Sequence, residues 1–505
     1  MYDTVAMLDG LSALLQANTL TFVFLGFALG FFVGAIPGFN DANVMAILLP
    51  FTLLLDPTTA IVAMVGVYCG AQAAGAIPAI LMNIPGTPGN AASTLEGYPM
   101  SRAGRSGYAL GLSFGASSFG AFIGAFLALV LAPILGLFAL RFGPAEMFMV
   151  AVLGLTVVST LSADSFAKGL MIAGFGILVS LIGADSMSAF PRATYGVPEL
   201  YDGMPLIPVL LGLFGLSELI LLLNRRTIAE RDSGHSTGWS EIVSGFRDSA
   251  RHQVNLWRSS ILGFLVGLVP GAGATIGSFL AYGQAKQWSR NRSAFGKGNP
   301  EGLVATDSAN NATATGAVVP MLTLGLPGSA STLVMLAALV LHGVRPGPEF
   351  FRNFQVDAYT ILFSMFAAAI LIATLGILLA RVAQRIVFIP NAILVPTVAV
   401  LIFLGAYAWR FMAFDILLMV VFGVFGVILK TYRYPVPAFM LAIILGPLLE
   451  GNFLRATRIG GVESLLASPI SKAIAVVIVL SLLAPMVQII LQRRRAGKGE
   501  GDGPG

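Results

Sequence analysis

Asp307, Asn310 and Asn311 stand together in an apolar run from Leu303 to Leu326. Other polar residues have similarly apolar surroundings. Asn40, Asp41 and Asn43 form one group; Asn83, Thr87, Asn90, Ser93 and Thr94 a second; Thr275, Ser278, Thr313, Thr315, Thr323, Ser329, Ser331 and Thr332 lie in the second half of the chain. Apart from the acids Asp41 and Asp307, these are neutral hydroxyl and amide groups. Hydroxyls and amides can ligate a hard cation or hydrogen-bond a carboxylate, and polar residues at membrane depth mark a solute path by default. The competing reading is adhesion between helices, because Ser, Thr and Asn also bond across helix interfaces. Covalent chemistry finds no support. There is no GxxxxGK[ST] loop for ATP, no HExxH and no Ser-His-Asp spacing. Cys69 is the single cysteine, and His235, His252 and His342 are scattered, so neither a disulfide framework nor a resident metal or other cofactor is expected.

No Lys or Arg lies in Thr19–Thr94 or in Gly302–Leu341. An anion held in these regions must therefore be held without basic side chains. The segments after Pro85-Gly86-Thr87 and Pro327-Gly328-Ser329 read as starts of half-helices, and a helix N-terminus offers free N–H groups and about +0.5 charge. Asn83, Pro85, Gly86, Thr87, Asn310, Asn311, Pro327, Gly328 and Ser329 are the substrate-binding candidates. Asn40, Asp41, Asn43, Thr275 and Asp307 are the candidates for a coupling ion: Na+ suits the oxygens, and a proton on Asp41 or Asp307 is the alternative.

The elements that must position these residues follow from composition. Of 505 residues, 56% are hydrophobic and 10% charged, against about 25% charged in a soluble domain. Continuous apolar stretches of about 20 residues recur, each long enough to cross the hydrocarbon core. They do not alternate as barrel strands do, so the expected fold is an all-α polytopic membrane protein with roughly 11 to 14 crossings.

The chain also repeats itself. Gly30-Phe-Phe-Val-Gly-Ala-Ile-Pro-Gly38 matches Gly263-Phe-Leu-Val-Gly-Leu-Val-Pro-Gly271 at six of nine positions. Gly75–Thr87, ending in Pro85-Gly86-Thr87, matches Gly316–Ser329, ending in Pro327-Gly328-Ser329. The offsets are 233 and 242 residues. Gly/Pro breaks at corresponding positions of two halves point to the binding site of a secondary transporter. Non-helical backbone at that depth survives only where it is buried in protein or lines a polar cavity. The alternative is that each pair merely kinks a packed helix.

The expected organisation is a first transmembrane half over 1–223, a basic linker over 224–258, a second half over 259–492 and a disordered tail over 493–505. Basic residues of the linker and of Arg493-Arg-Arg495 place both on the cytoplasmic side. Lys286, Arg290, Arg292 and Lys297 follow the Ser259–Ala285 segment. The positive-inside rule favours a segment that turns back at Pro270-Gly271 over one that crosses once. The N-terminus lacks the basic region of a cleaved signal, since Arg102 is the first basic residue. The excess of five positive charges is thus read as topological, and nucleic acid is not an expected partner.

Gly34-Ala-Ile-Pro-Gly38, Leu48-Leu-Pro-Phe-Thr52, Tyr68-Cys-Gly70, Ile80-Leu-Met-Asn-Ile-Pro-Gly-Thr87 and Glu96-Gly-Tyr-Pro-Met100 resemble the large membrane subunit of the tripartite tricarboxylate transporters. So do Val269-Pro-Gly-Ala-Gly273, Phe295-Gly-Lys-Gly298, Ala309-Asn-Asn-Ala312, Leu324-Gly-Leu-Pro-Gly-Ser329 and His342-Gly-Val-Arg-Pro-Gly-Pro348. The resemblance runs in order over nearly the whole chain. It implies ion-coupled uptake of a carboxylate such as citrate, at the bacterial inner membrane, with a small four-helix membrane subunit and a periplasmic solute-binding protein as partners. It also implies inverted repeats and an elevator-like architecture. Two stretches depart from the family pattern. Ala71-Gln-Ala-Ala-Gly-Ala76 stands where Gly-Gly-Ser is usual, and Thr306-Asp307 where Pro-Glu is usual. Both lie beside the candidate site, so the resemblance leaves the choice among tricarboxylate, dicarboxylate and monocarboxylate open.

Overall fold

The computed structural model describes residues 3–37, 39–161, 165–184, 190–223, 238–386 and 391–483. Gly38, the linker positions 224–237 and the tail 493–505 lie outside the described residues. Among the described residues, the only strands are Gly183–Ala184 and Pro191–Arg192, and helices make up most of the rest. Eight helices are long and apolar enough to cross a membrane, and six more apolar helices are shorter. The protein is an all-α polytopic membrane protein. The higher crossing number expected from hydropathy counted shorter apolar stretches such as Val44–Leu55 and Thr332–Leu341, which belong here to 12-residue helices.

The chain divides into two compact units: Met1–Leu140 with Leu206–Val427, and Arg141–Pro205 with Ile428–Gly505. The first unit holds every candidate residue. Its positioning helices are α1 (Ala17–Gly34), α2 (Asp41–Thr52), α3 (Pro57–Ala74), α4 (Ser106–Ala139), α5 (Trp239–Ser249), α6 (Gln253–Gly267), α7 (Gly273–Trp288), α8 (Pro300–Leu324), α9 (Ala330–Leu341) and α10 (Gln355–Leu371). Local signals start several of them. Asp56 caps α3 by accepting from Thr59 N–H (2.9 Å), with Pro57 in the first turn. Asn299 caps α8 by accepting from Glu301 N–H (2.9 Å), with Pro300 in the first turn. Proline in the first turn removes a donor that would have no partner anyway.

Between helices, lipid offers no hydrophobic drive, so association relies on close backbone approach over small residues. Helix α1 packs along α3, and α6 along α8. A Cβ on Gly34 would stand 2.4 Å from the Ala71 carbonyl oxygen, and one on Gly267 2.4 Å from that of Thr313. Neither position accepts any side chain. Helix α6 ends before Pro270, and α7 packs back on it. The Arg258 guanidinium lies 4.8 Å over the Trp288 ring, joining the start of α6 to the end of α7. The segment therefore turns back at 268–272.

In the second unit, Pro144–Leu161 and Phe166–Ser180 pack against Val436–Gly460. Gly176 and Gly446 allow close approach, since their Cβ atoms would stand 2.6 Å from the Phe439 carbonyl oxygen and 1.9 Å from Ser180 Oγ. Arg192 donates to both carboxylate oxygens of Glu450, at 2.6 and 3.0 Å.

Candidate functional site

The Pro-Gly loops are seated by backbone contact. A Cβ on Gly86 would stand 2.1 Å from the Gly34 carbonyl oxygen and 2.7 Å from Gly75 Cα. A Cβ on Gly328 would stand 2.9 Å from the Gly267 carbonyl oxygen and 2.7 Å from Ala317 Cα. Each loop thus rests on the last turn of α1 or of α6, at residues separated by the two offsets of the repeat. The two loops lead into different structures. Ser329 starts α9 through a capping box with Thr332: Thr332 N–H donates to Ser329 Oγ (3.2 Å), and Ser329 N–H to Thr332 Oγ1 (2.8 Å). After Thr87 the chain forms a four-residue 3₁₀ turn, Pro88–Ala91, before Thr94–Arg102. Thr87 makes no cap bond; its hydroxyl lies 2.6 Å from Asn90 Oδ1 and 3.1 Å from Gln72 Oε1. The expected pair of half-helix starts is therefore realised at Ser329, while the first half supplies a short turn.

The two halves meet at these loops. Helix α2 packs on α9, and α7 on the Pro88–Ala91 turn. At the first crossing Asp41 is 2% exposed. Its Oδ2 accepts from Ser331 Oγ (2.5 Å) and Gln72 Nε2 (3.0 Å), and Tyr68 OH lies 3.1 Å from Ser329 Oγ. At the second crossing, a Cβ on Gly89 would stand 2.0 Å from Asn310 Oδ1 and 2.8 Å from Ala274 Cβ. The repeat pairs Asp41 with Ala274, Tyr68 with Asn310 and Ser331 with Gly89. Equivalent positions thus face each other at both crossings, but of these paired positions only Asp41 is an acid.

Gln72 joins the crossings. It donates to Asp41, faces Thr87 through Oε1, and its carbonyl accepts from Asn310 Nδ2 (3.2 Å). Asp307 is buried and accepts from Ser93 Oγ. Not every polar atom here is matched. Asn43 Nδ2, Asn90 Nδ2, Asn310 Oδ1 and Asp307 Oδ2 are buried without a hydrogen-bond partner. An unmatched buried donor or acceptor costs about 1–3 kcal/mol, and those of Asn90 and Asn310, joined through Thr87 and Gln72, are what a site leaves open for a ligand.

The sequence candidates divide. Asp41, Thr87 and Asn310 share the Gln72 network; Ser329 meets Tyr68; Gly86, Pro327 and Gly328 form the buried loop seats. Asn83 is exposed and closes Ala76–Met82 in the left-handed conformation (φ 59°), apart from that network. Asn40 caps α2 by accepting from Asn43 N–H (3.0 Å). Asn311 Nδ2 donates to the Asp307 carbonyl of its own helix (3.1 Å). Pro85 and Thr275 are half-buried and make no side-chain hydrogen bond among the described residues. Asn90, Ser93 and Ser331, polar residues of the same segments but outside the candidate set, join the site. Gln72, Tyr68 and Gly89 join it as well. For Gln72 the sequence holds a signal: it is the one polar side chain in Ala71–Ala76.

Helices broken by Pro-Gly in both halves, crossing at a buried polar network inside a polytopic bundle, are the anatomy of a membrane transporter. The chain belongs to the tripartite tricarboxylate transporter TctA family, whose family model matches residues 20–441. It is 32% identical over 480 residues to an uncharacterized 52.8 kDa protein in the TAR-I ttuC' 3' region of Agrobacterium vitis, covering 94% of this chain and 95% of that protein. It is also 32% identical over 215 residues to an uncharacterized protein in the TAR-II ttuC' 3' region of the same organism, covering 42% of this chain and 88% of that protein. No solved structure matches.

Proposed function

We propose that this chain, as the large membrane subunit of a three-part uptake system, carries a small carboxylate inward across the bacterial inner membrane together with Na+, a proton being the alternative coupling ion. A tricarboxylate such as citrate, or a smaller carboxylate, is the substrate. A periplasmic binding protein delivers it, and a small four-helix membrane subunit completes the complex. The two halves are inverted repeats, and the substrate-holding part moves in an elevator-like step. The observation that carries this reading is the Gln72 network, which ties both halves together and leaves Asn90 Nδ2 and Asn310 Oδ1 buried and unmatched. An unmatched amide N–H suits a carboxylate, while an unmatched oxygen beside the Asp307 carboxylate suits a cation. Neither demands a basic side chain.

The test is uptake into liposomes holding this chain and its small partner subunit, with the binding protein outside and loaded with labelled citrate. Accumulation should require the binding protein and an inward Na+ gradient, and a proton gradient replaces Na+ if the alternative holds. Equilibration without any gradient, and without the binding protein, would show a passive anion path instead and overturn the proposal.

A further inference from the structure

A second feature of the first unit has no place in transport of the carboxylate. Between α4, α5 and α10 lies a cavity of about 530 Å³, lined by Gly115, Phe119 and Phe122 of α4, Phe246 and Arg247 of α5, and Ile370 beside Ala373. Its size is that of a small-molecule site. The wall polar groups are already satisfied: Ser118 Oγ donates to the Ala369 carbonyl (3.1 Å), and Ser249 Oγ to that of Phe246 (2.7 Å). The interior therefore offers carbon and no free hydrogen-bonding group, which suits an alkyl chain and not a polar solute.

The mouth is different. Arg247 lines the cavity, is exposed, and makes no ion pair or hydrogen bond among the described residues. Both acids of α5 are placed elsewhere. Asp248 takes Tyr108 OH (2.8 Å) and Arg251 (2.7 Å), and Glu241 lies along Gly107 of α4. Helix α5 is amphipathic. Ile242, Gly245 and Ser249 face inward, while Trp239, Val243 and Ser244 face out. Trp257, half-exposed, packs edge-on against Phe119 at 5.3 Å. A short amphipathic helix flanked by exposed tryptophans and arginines sits at the membrane–water interface. The cavity accordingly opens at headgroup level, and its walls at Phe122 and Ile370 are exposed as well, so it is an open groove along α4 and α10.

We infer that this cavity binds one acyl chain of an anionic phospholipid, with the headgroup phosphate on Arg247. Charge selects the class of lipid: basic pockets between transmembrane helices hold anionic headgroups, and Arg247 is the charge at the mouth without an ion-pair partner among the described residues. The lipid would brace α5 against α4, where Gly111 and Gly245 let the backbones touch.

The experiment uses the full chain purified in detergent. Phosphatidylglycerol, phosphatidylcholine or free glycerol phosphate is added, and the thermal unfolding midpoint is followed. In parallel, a phosphatidylglycerol with a photoactivatable acyl chain is cross-linked and its site mapped. Phosphatidylglycerol should raise the midpoint at lower concentration than phosphatidylcholine, and the label should fall on 115–122 or 369–373. Arg247→Gln, an exposed change that leaves the core intact, should reduce the preference for the anionic lipid about fivefold, the factor equivalent to ~1 kcal/mol per basic residue. Ala373→Phe, which fills the cavity, should abolish labelling. An equal shift from glycerol phosphate alone, an unchanged preference in Arg247→Gln, or labelling confined to other helices would overturn the inference. None of these readouts depends on carboxylate transport, so failure of the transport proposal leaves them standing.

Discussion

Tyr68 and Ser329 face each other across the two halves, their hydroxyl oxygens 3.1 Å apart. The residues that the repeat pairs with them, Asn310 and Thr87, meet on the two ends of Gln72, its carbonyl and its side-chain oxygen. One arrangement thus occurs twice with different chemistry. Tyr68→Phe removes one hydroxyl from a site whose capping box stays intact. It should lower transport severalfold while shifting the unfolding midpoint little, because a single neutral hydrogen bond contributes about 1 kcal/mol. Initial uptake rates beside a melting curve check this, and an unaltered rate would place Tyr68 outside the substrate path.

Gly89 is the tightest point of the second crossing. A Cβ there would stand 2.0 Å from Asn310 Oδ1, and the amide must move or the turn must shift. Overpacking of this kind costs about 1–3 kcal/mol. Gly89→Ala should insert into the membrane normally yet lose at least tenfold in uptake. Expression level in isolated membranes, compared with transport per milligram, separates the two effects. Wild-type uptake from this variant would mean that the loop is not closed on Asn310 during the cycle.

Asp41 should matter more than its hydrogen-bond partner. Ser331→Ala removes one donor to a carboxylate that keeps Gln72. Asp41→Ala removes the carboxyl group and leaves both Ser331 Oγ and Gln72 Nε2 buried without it, which costs about 1–3 kcal/mol for each group. Asp41→Ala should abolish transport, and Ser331→Ala should reduce it by about tenfold or less. The comparison is made at saturating and at limiting cation. A Ser331→Ala defect that disappears at high cation concentration would tie this crossing to the coupling ion, and one independent of cation would tie it to the carboxylate.

Much of the fold could be read from the residues because lipid leaves a chain few options: long apolar runs must be helices. The breaks were legible for a related reason: a Pro-Gly pair removes a donor and frees the backbone at adjacent positions, whereas the lone prolines Pro133 and Pro320 stay inside α4 and α8. Partnership across the halves was not. Gln72 and Asn310 are 238 residues apart, and no periodicity in either helix signals that a side chain will reach the other half. Asn83 has a local structural role that the motif did not reveal. It stands within the Pro-Gly motif, but the short Ala76–Met82 helix needs a left-handed closing residue, and asparagine supplies it.

Glu96 is visible in the sequence as part of a motif but not as a clamp. It is fully buried, and its carboxylate accepts from Tyr282 OH (2.8 Å) and from the N–H groups of Gly296 (2.5 Å), Gly298 (2.8 Å) and Asn299 (2.7 Å). Hydrogen bonds to a charged group contribute about 1.5–3 kcal/mol each. Glu96→Ala should therefore destabilise the protein by about 3–5 kcal/mol, allowing for non-additivity. Tyr282→Phe should cost about 1–2 kcal/mol. Urea or thermal unfolding in detergent measures both. Equal effects from the two substitutions would show that the backbone donors find water once Glu96 is gone.

The turn at 268–272 makes a topological prediction. Arg258 lies over Trp288, so the two ends of the α6–α7 hairpin are at one level of the structure. A single crossing would put them on opposite faces of the membrane. Cys69 is the only native cysteine and is buried, which gives a silent background for labelling. Cysteines introduced at Arg251 and at Gln287, both exposed, should react with a membrane-impermeant maleimide from the same side. That side should be the cytoplasmic one, because Arg247, Arg251, Lys286, Arg290 and Arg292 all cluster at these two ends. In right-side-out vesicles neither should label until the membrane is opened. Labelling of one position and not the other in sealed vesicles would mean that the segment crosses once. The Pro-Gly seat of Gly328 on the last turn of α6 would then have to be rebuilt, since it requires that turn to end inside the bundle.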